Sequence, residues 1–196
     1  GAATTRKRLF VVGIDATVMD MPNLDLLQRI RSATVRDAIG DLAAAQPIGE
    51  VDGFDWWRLT EPQVASGYAK ALHSRTQTFS GNQITRHTER VRARFAEVPQ
   101  GDIDRVGRHR RLHWDGLCPT LRAGTGADKG SYQAVRPIHP TAPRVITVRE
   151  AARLQGFPDR HRFHPAVWHS FRMIGNSVAP LMAEALLSLV SETAQR

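Results

Sequence analysis

The segment from residue 147 to residue 158 constrains the fold of this chain more than any other. Thr147 and Glu150 stand three residues apart, the spacing of a capping box, in which each side chain satisfies a free backbone group at the start of a helix. Gly156 and Pro158 follow, and both residue types favour the end of a helix. The segment therefore predicts a short helix with a defined start and a defined end.

A second segment, residues 174–180, predicts the start of the final helix. Asn176 and Ser177 are residue types that cap helix N-termini, and Pro180 lies in a first turn, where its missing N–H is harmless. The residues that follow predict a broad apolar face that packs against other parts of a fold. Its positions are Val178, Leu181, Met182, Ala185, Leu186 and Leu189.

Earlier in the chain, hydrophobic periodicity predicts one strand and three helices. The apolar, β-branched run at residues 8–13 is typical of a buried strand. Residues 105–143 are rich in Gly, Pro and Thr, and they predict irregular β structure and loops. Helices are predicted from Thr34 to Leu42 with Thr34 as the cap, around Val64, Tyr68 and Leu72, and around Val91 and Phe95 after the cap residue Thr88.

The charge of the chain favours a polyanionic partner. Its 196 residues carry 24 Arg and 3 Lys against 19 acidic residues, which gives a net charge of +8. A guanidinium group binds phosphate through two parallel hydrogen bonds, whereas an ammonium group acts as a point charge. The alternative is an Arg-rich composition that reflects only genomic base content. We expect a cytoplasmic protein, because no stretch of the sequence approaches the roughly 20 apolar residues of a membrane span.

Three blocks of this sequence, in order, resemble motifs of the DNA (cytosine-5)-methyltransferases. Residues 147–158 and 174–180 resemble the last two motif blocks of that family. Residues 6–13 resemble its Gln-x-Arg-x-Arg block and the strand after it, with Thr4 at the position of the family glutamine. A Thr-Leu pair at residues 120–121 matches the pair near the end of the family's target recognition region.

The resemblance implies an α/β fold: the C-terminal part of a Rossmann-like methyltransferase domain with an inserted mixed α/β target recognition domain. Residues 1–20 would form a strand and flank of the catalytic domain, and residues 21–145 the target recognition region. Residues 146–196 would hold the closing motifs and a C-terminal helix that returns to the catalytic domain. The resemblance also implies S-adenosylmethionine as the cofactor and double-stranded DNA as the substrate.

The resemblance assigns roles to single residues as well. Arg8, with Arg6 beside it, matches the arginine that supports catalysis by holding the flipped cytosine, although two solvated charges would show the same pattern. Asn176, Ser177 and Val178 would contact S-adenosylmethionine, and helix capping by the first two is the competing interpretation. The residues expected to contact DNA are Arg108, Arg110, Arg111, Thr120, Leu121, Arg122, Gly124 and Gly126.

The nucleophile of this chemistry is missing from the sequence. Methyl transfer to C5 of cytosine needs a thiolate that adds to C6, which the family supplies from a Pro-Cys pair, and an acid from Glu-Asn-Val. Neither motif occurs here, and the single cysteine, Cys118, is predicted to be a buried filler. His109 and His113 have helical spacing but no accompanying acid or cysteine pattern, so no metal site is expected.

We therefore expect the chain to be part of an enzyme. It would recognise DNA and complete the cofactor and base pockets, as a split subunit or a fragment of a longer chain. It would be inactive without an N-terminal methyltransferase half or subunit that carries the nucleophile. The apolar run at residues 9–12 and the final helix would need such a partner, or self-association, to cover them. The alternative is a noncatalytic, sequence-specific DNA-binding module.

Overall fold

The computed structural model describes residues 1–27, 30–124 and 136–195. These residues form a mixture of helices and strands, which confirms the α/β class. The helices are α1 (Val35–Ile39), α2 (Gly67–Leu72), α3 (Glu89–Ala96), α4 (Val148–Leu154), α5 (Val167–Asn176) and α6 (Pro180–Ala194). The strands are β1 (Gln46–Val51), β2 (Phe54–Arg58) and β3 (Thr78–Ser80), and 3₁₀ turns span Leu24–Leu26, Gly40–Ala44 and Pro62–Val64.

The sheet is antiparallel in the order β1-β2-β3, and a tight turn at Asp52 and Gly53 joins its first two strands. Both turn residues have positive φ, 54° and 75°, as a type I′ turn requires. An Asp-Gly pair between two strand-like runs is a hairpin signal, and the prediction from sequence missed it. β1 lies at the sheet edge, where its residues are exposed and a bulge between Pro47 and Gly49 interrupts the ladder.

Thr34 starts α1 as predicted. Its hydroxyl accepts a hydrogen bond from the Asp37 N–H at 3.1 Å, and the Asp37 carboxylate accepts one from the Thr34 N–H at 2.8 Å, so the capping box is complete. The predicted extension to Leu42 is wrong, because the α-helix ends at Ile39 and a 3₁₀ turn begins at Gly40. Glycine loses more conformational entropy in a helix than other residues do, which favours a change of structure there.

The second and third predicted helices are present with shifted bounds. α2 begins only at Gly67, where the Ser66 hydroxyl accepts from the Ala69 N–H at 3.0 Å, and Val64 belongs to the preceding 3₁₀ turn. Thr88 precedes α3 as expected, but its side chain makes no capping hydrogen bond. Periodicity thus located both helices but did not fix the residue at which α2 begins, which depends on the local hydrogen bond of Ser66.

The predicted irregular region is confirmed where the structure describes it, at residues 105–124 and 136–143. Isolated bridges, such as that between Arg111 and Ile138, replace a regular sheet there. These bridges still place the backbone of the region against the rest of the core, because Leu112 and Ile138 are both fully buried.

α4 lies in the core, and all seven of its residues are buried. The predicted capping box is present: the Thr147 hydroxyl accepts from the Glu150 N–H at 3.1 Å, and the Glu150 carboxylate accepts from the Thr147 N–H at 2.7 Å. Gly156 follows the helix with a φ of +86°, a backbone conformation that residues with a Cβ atom rarely adopt. The prediction of a short helix with defined ends is confirmed.

Arg153 of α4 is a fully buried cation with two carboxylate partners. It donates to both oxygens of Asp159, at 2.6 and 2.7 Å, and it contacts Asp41 at 3.3 Å and the Ala38 carbonyl at 3.3 Å. Burial alone would lower the pKa of Arg153, but the hydrogen bonds and charges of both aspartates raise it overall. The pair of acids therefore compensates the desolvation of the charge and ties α1 to α4.

Arg149, one turn earlier in α4, is equally buried. Its guanidinium donates to the carbonyl groups of Ser80 at 3.0 Å, Pro158 at 3.3 Å and His161 at 2.8 Å. Burial lowers the pKa of Arg149 to about 10, against the opposing charge of Asp159, so it stays protonated at neutral pH. Arg149 thereby attaches the end of β3 and the segment after α4 to one helix.

Residues 8–13 do not form the predicted strand. Leu9 and Val11 are 90% and 88% exposed, and no other part of the described chain pairs with this run. A buried strand needs backbone partners and a cover for its side chains, and local hydrophobicity supplies neither. The strand prediction is therefore wrong for this chain, and the expectation that another surface covers the run stays a prediction.

The last helix also differs from its prediction. Ala179 is its N-cap residue, and Asn176 and Ser177 belong to the end of α5, a helix that the sequence analysis missed. Pro180 occupies the first turn as expected, but no residue of α6 is fully buried: Leu181 and Leu186 are half-buried, and Met182 is 47% exposed. The span Val167–Ala194 is long and apolar enough to cross a membrane, which is only weak evidence for a membrane helix, since a core helix of a soluble protein can meet the same criteria.

The substitution Glu150→Gln should destabilise the fold at neutral pH. Burial alone would raise the pKa of Glu150, but hydrogen bonds from Arg144, at 2.7 and 2.8 Å, and its charge lower it below its ordinary value. A carboxyl with a depressed folded-state pKa stabilises the fold above its unfolded-state pKa of about 4.3, and this contribution is lost as the pH falls further. We expect urea denaturation to show a free energy of unfolding lowered by about 3 kcal/mol at neutral pH.

Glu61→Gln is the matched control, because Glu61 is exposed. It should leave the free energy of unfolding almost unchanged across the same pH range. The difference between Glu150→Gln and the unaltered chain should shrink as the pH falls below about 4. A difference that stays constant down to that pH would contradict the role given to the Glu150 carboxylate.

Candidate functional site

Arg6 joins three segments that are far apart in the sequence. One terminal nitrogen donates to the Gly175 and Ser177 carbonyl groups, both at 2.7 Å, and the other donates to the Leu121 carbonyl at 3.3 Å. We call these four residues the Arg6 junction. The junction brings together the sequence block at residues 6–13, the Thr-Leu pair at residues 120–121 and the block at residues 174–180.

Backbone pairing places Arg6 at this point. The Cys118 N–H donates to the Ala3 carbonyl and the Thr5 N–H donates to the Cys118 carbonyl, each at 2.9 Å. Thr4 and Cys118 form the corresponding parallel bridge. Ala3 and Cys118 are both completely buried, so the segment before Arg6 belongs to the main core. Arg6 therefore extends from an anchored stretch of backbone.

Gly175 allows the segment after Leu121 to touch the end of α5. A Cβ atom added to Gly175 would lie 2.5 Å from the Ala123 nitrogen and 2.7 Å from its Cα, well inside van der Waals contact. Only glycine fits this approach. No sequence pattern predicted this role of Gly175, because the contacting segment lies about fifty residues away and local periodicity depends only on residues close in the chain.

The three residues predicted to contact the cofactor lie at and just after the end of α5. The Ser177 hydroxyl donates to the Ile174 carbonyl at 2.8 Å, so it closes α5 and does not cap the next helix. Asn176 is exposed, and its side chain makes no hydrogen bond within the described residues. Val178 is 38% exposed. An amide and an apolar side chain on this turn fit the rim of a pocket for a ligand with polar and apolar parts.

Arg6 and Arg8 have different surroundings. Burial, and then the charge of Arg8, lowers the pKa of Arg6, but a guanidinium remains protonated at neutral pH. Arg8 is exposed, and its guanidinium donates only to the Lys7 carbonyl, at 2.7 Å, within the described residues. Arg8 can therefore reach a ligand, whereas the guanidinium of Arg6 is engaged with backbone carbonyls.

The residues predicted to face DNA around Leu121 alternate between surface and core. Thr120 and Arg122 are exposed, whereas Leu121 is buried in the main core. Gly124 is exposed and has a φ of +74°, and Gly126 lies outside the described residues. This alternation anchors the backbone at Leu121 and leaves the neighbouring side chains on the surface.

The three arginines of the predicted basic run differ in burial. Arg108 and Arg110 are exposed, and Arg110 donates to the Gly101 carbonyl. Arg111 is buried, and it donates to the Phe95 carbonyl and, at 3.1 Å, to the Pro140 carbonyl. Burial lowers the pKa of Arg111. A DNA contact by Arg111 is therefore a wrong prediction, because its guanidinium is enclosed by backbone that it stabilises.

Cys118 is unsuited to nucleophilic chemistry. Its side chain is completely buried, and burial raises the pKa of the thiol to about 12. The thiol is 3.3 Å from the Pro119 carbonyl. Because the thiolate is the nucleophilic form, a thiol that stays protonated at neutral pH cannot attack a base. The prediction of a buried filler is confirmed.

The two histidines at helical spacing have separate partners. His109 Nδ1 lies 2.7 Å from the Arg136 carbonyl, and His113 Nδ1 accepts from the Asp115 N–H at 3.1 Å. In the part of the chain that the structure describes, no group of three or more His, Cys, Asp or Glu residues could hold a metal ion.

Comparison with known proteins gives one consistent family. The family model of C-5 cytosine-specific DNA methylases matches residues 1–192. The type II methyltransferase M.XorII of Xanthomonas oryzae pv. oryzae is 40% identical over 95% of this chain, and the match covers 46% of that protein. DNA (cytosine-5)-methyltransferase 1 of Mus musculus is 41% identical over 41% of this chain and 5% of its own length.

Among solved structures, one that resembles this fold over the full length of the present chain is a methyltransferase. It is a putative DNA modification methyltransferase encoded within a prophage of E. coli, with 33% sequence identity and a TM-score of 0.79. The likeness covers 100% of this chain and 57% of that one. The chain thus spans about half the length of M.XorII and of this structure.

The substitution Gly175→Ala should separate the segment around Ala123 from the end of α5. The added Cβ would clash with the Ala123 backbone, and relief of such overpacking costs roughly 1–3 kcal/mol. Denaturation should show that loss, and hydrogen exchange of the Ala123 amide should become faster. Gly67→Ala is the matched control, because nothing lies within 4 Å of a Cβ at that position. Equal destabilisation by both variants would contradict the close contact.

Cys118 should react with a thiol reagent only when the chain unfolds. Complete burial and a pKa of about 12 both suppress the thiolate in the folded state. We expect Ellman's reagent to label the native chain at least about 100-fold more slowly than the chain in urea. Labelling at similar rates in both conditions would show that the thiol is accessible.

Proposed function

The chain belongs to the C-5 cytosine-specific DNA methylase family, and we propose that it forms the DNA-recognition and pocket-completing part of an S-adenosylmethionine-dependent DNA (cytosine-5)-methyltransferase. It would act as a split subunit or as a fragment of a longer chain. The observation that carries the proposal is the Arg6 junction, where Arg6, Leu121, Gly175 and Ser177 meet through hydrogen bonds. Each of these segments matches a block that resembles a family motif.

The nucleophile would come from outside these 196 residues. The Pro-Cys and Glu-Asn-Val motifs are absent from the sequence, and Cys118 is buried with a raised pKa. The missing thiolate and acid would belong to an N-terminal half, either a separate subunit or another part of a longer polypeptide. When bound, S-adenosylmethionine supplies the electrophilic methyl group.

The exposed apolar surface supports such a partner. Leu9 and Val11 are almost fully exposed, and α6 buries none of its residues although its sequence is apolar. Exposed apolar area of this extent is typical of an interface. The N-terminal half would cover both surfaces and convert them into core. We place the assembled enzyme in the cytoplasm, with the apolar side of α6 as a packing face.

Double-stranded DNA would lie against the exposed side chains of the recognition region. The Thr120 hydroxyl and the Arg122 guanidinium suit phosphate or base-edge contacts, and Arg108 and Arg110 would neutralise phosphates. Gly124, which has no side chain and a positive φ, would let the DNA backbone approach closely.

The base and cofactor pockets would be completed by two surfaces beside the Arg6 junction. The exposed guanidinium of Arg8 would stabilise negative charge on the flipped cytosine and orient the carboxylate of the other half. Asn176 and Val178 would form one rim of the cofactor pocket, with the amide as a hydrogen-bonding group and the valine as an apolar cover. The Ser177 hydroxyl would not contact the cofactor, since it is bonded to the Ile174 carbonyl.

The isolated chain should transfer no methyl groups to DNA, whereas the assembly that contains it should. Purification from the native host, followed by mass spectrometry, would identify the polypeptide that carries the Pro-Cys and Glu-Asn-Val motifs. In that assembly Arg8→Met should lower kcat by about 10²–10³-fold, because it removes a preorganised cation from the transition state. Transfer of a labelled methyl group to DNA measures both effects.

Lys7→Met is the control, because Lys7 is an exposed neighbouring cation. It should retain most of the wild-type kcat. Methyl transfer by the pure 196-residue chain would contradict the proposal. Recovery of the chain alone, with specific DNA affinity and no catalytic partner, would support a noncatalytic DNA-binding module instead.

A further inference from the structure

We infer that Arg6 is a positioning residue that makes binding of S-adenosylmethionine depend on binding of DNA. The inference rests on the proposed function. Its basis is that one guanidinium bonds to two segments. Residues 120–123, which we call the recognition segment, are held at Leu121. Residues 175–178, which we call the cofactor segment, are held on both sides of Asn176. A DNA contact at the first segment would thereby order the second.

The grip on Asn176 is direct. The Gly175 and Ser177 carbonyls belong to the residues immediately before and after Asn176, and both lie 2.7 Å from the same Arg6 nitrogen. Carbonyl groups at a helix C-terminus have no partner within the helix, and a cation there opposes the negative end of the helix dipole. With both neighbours held, the exposed Asn176 side chain leaves the backbone in a defined direction.

A steric contact links the same two segments independently. The Ala123 backbone occupies the space where a Cβ of Gly175 would lie. A movement of the recognition segment towards α5 would therefore displace the end of the helix, because packed backbone atoms do not compress. The hydrogen bonds of Arg6 and this contact act on the same turn.

The DNA side of the junction has the weakest of the three hydrogen bonds. The Leu121 carbonyl is 3.3 Å from Arg6, against 2.7 Å for each bond to the end of α5. A hydrogen bond of that length strengthens when its atoms approach by a few tenths of an ångström. Thr120 and Arg122, on either side of Leu121, are exposed where DNA would bind. DNA would tighten the Leu121 bond and complete the grip on the cofactor segment.

Coupling of this kind has a measurable magnitude. Binding energies shared between two sites usually change affinity by about 5–150-fold, and the change is the same in both directions. DNA should therefore tighten cofactor binding by the same factor by which cofactor tightens DNA binding. Loss of Arg6 should reduce this factor more than it reduces either affinity measured alone.

The test uses the assembled enzyme, with S-adenosylhomocysteine as a ligand that does not turn over. Titration calorimetry would measure its affinity without DNA and with a duplex that the wild-type assembly methylates. We expect wild-type coupling of about tenfold or more, and a factor close to one in Arg6→Met. Arg6→Lys should give an intermediate factor, because an ammonium group keeps the charge but cannot present two separated nitrogens. The KM for S-adenosylmethionine should rise more than kcat falls.

Lys7→Met is again the matched control, because it removes a cation from the same segment and should leave the coupling factor unchanged. Melting curves show whether each variant is folded, and Arg6→Lys serves if Arg6→Met is not. Wild-type coupling in a folded Arg6 variant would overturn the inference, as would a wild-type assembly that binds both ligands without coupling. A wild-type assembly that binds neither ligand would instead overturn the proposed function, and the inference with it.

Discussion

The rest of this structure depends on the ion pairs that the fully buried guanidinium of Arg153 forms with Asp41 and Asp159. A cation without solvent is tolerated only with compensating charge, and Asp159 and Asp41 supply it from two different segments. Because removal of any partner would leave an uncompensated charge, α1, α4 and the loop after α4 must keep one arrangement. Arg149 extends the same constraint to the end of β3 through backbone carbonyls.

That core anchors the backbone on which the candidate site residues lie. Leu121 and Cys118 are buried in the same cluster as the residues of α4, so the backbone of the recognition segment and the segment leading to Arg6 are both anchored. What remains open are the side chains of Thr120 and Arg122, the amide of Asn176 and the apolar side of α6. The described chain therefore combines a buried core with exposed polar and apolar groups beside the Arg6 junction, and the proposed partner would cover the apolar ones.

The sequence predicted some features well because they depend on neighbours in the chain. The capping box of α4 and the cap of α1 are local hydrogen bonds between residues three apart. The unreactive state of Cys118 was predicted because no Pro precedes it, and its complete burial agrees with that prediction. The strand predicted at residues 8–13 is absent from the described chain, and the apolar face of α6 is not buried within it, because burial needs a second surface. The expectation that a partner or self-association covers both stays a prediction. Arg111 was misplaced because its carbonyl partners lie on distant segments.

By itself, the sequence determined the family of the chain, the mixed α/β class, the position of α4 and the lack of Pro-Cys and Glu-Asn-Val motifs. The position of α4 follows from residue types and short spacings, and the family and fold class follow from the resemblance of three sequence blocks to known motifs. Only the tertiary structure decided that Arg6 links Leu121 to the residues around Asn176, and that Gly175 admits the Ala123 backbone. These contacts join positions more than fifty residues apart in the chain, and packing of a shared core, not any local pattern, brings such positions together.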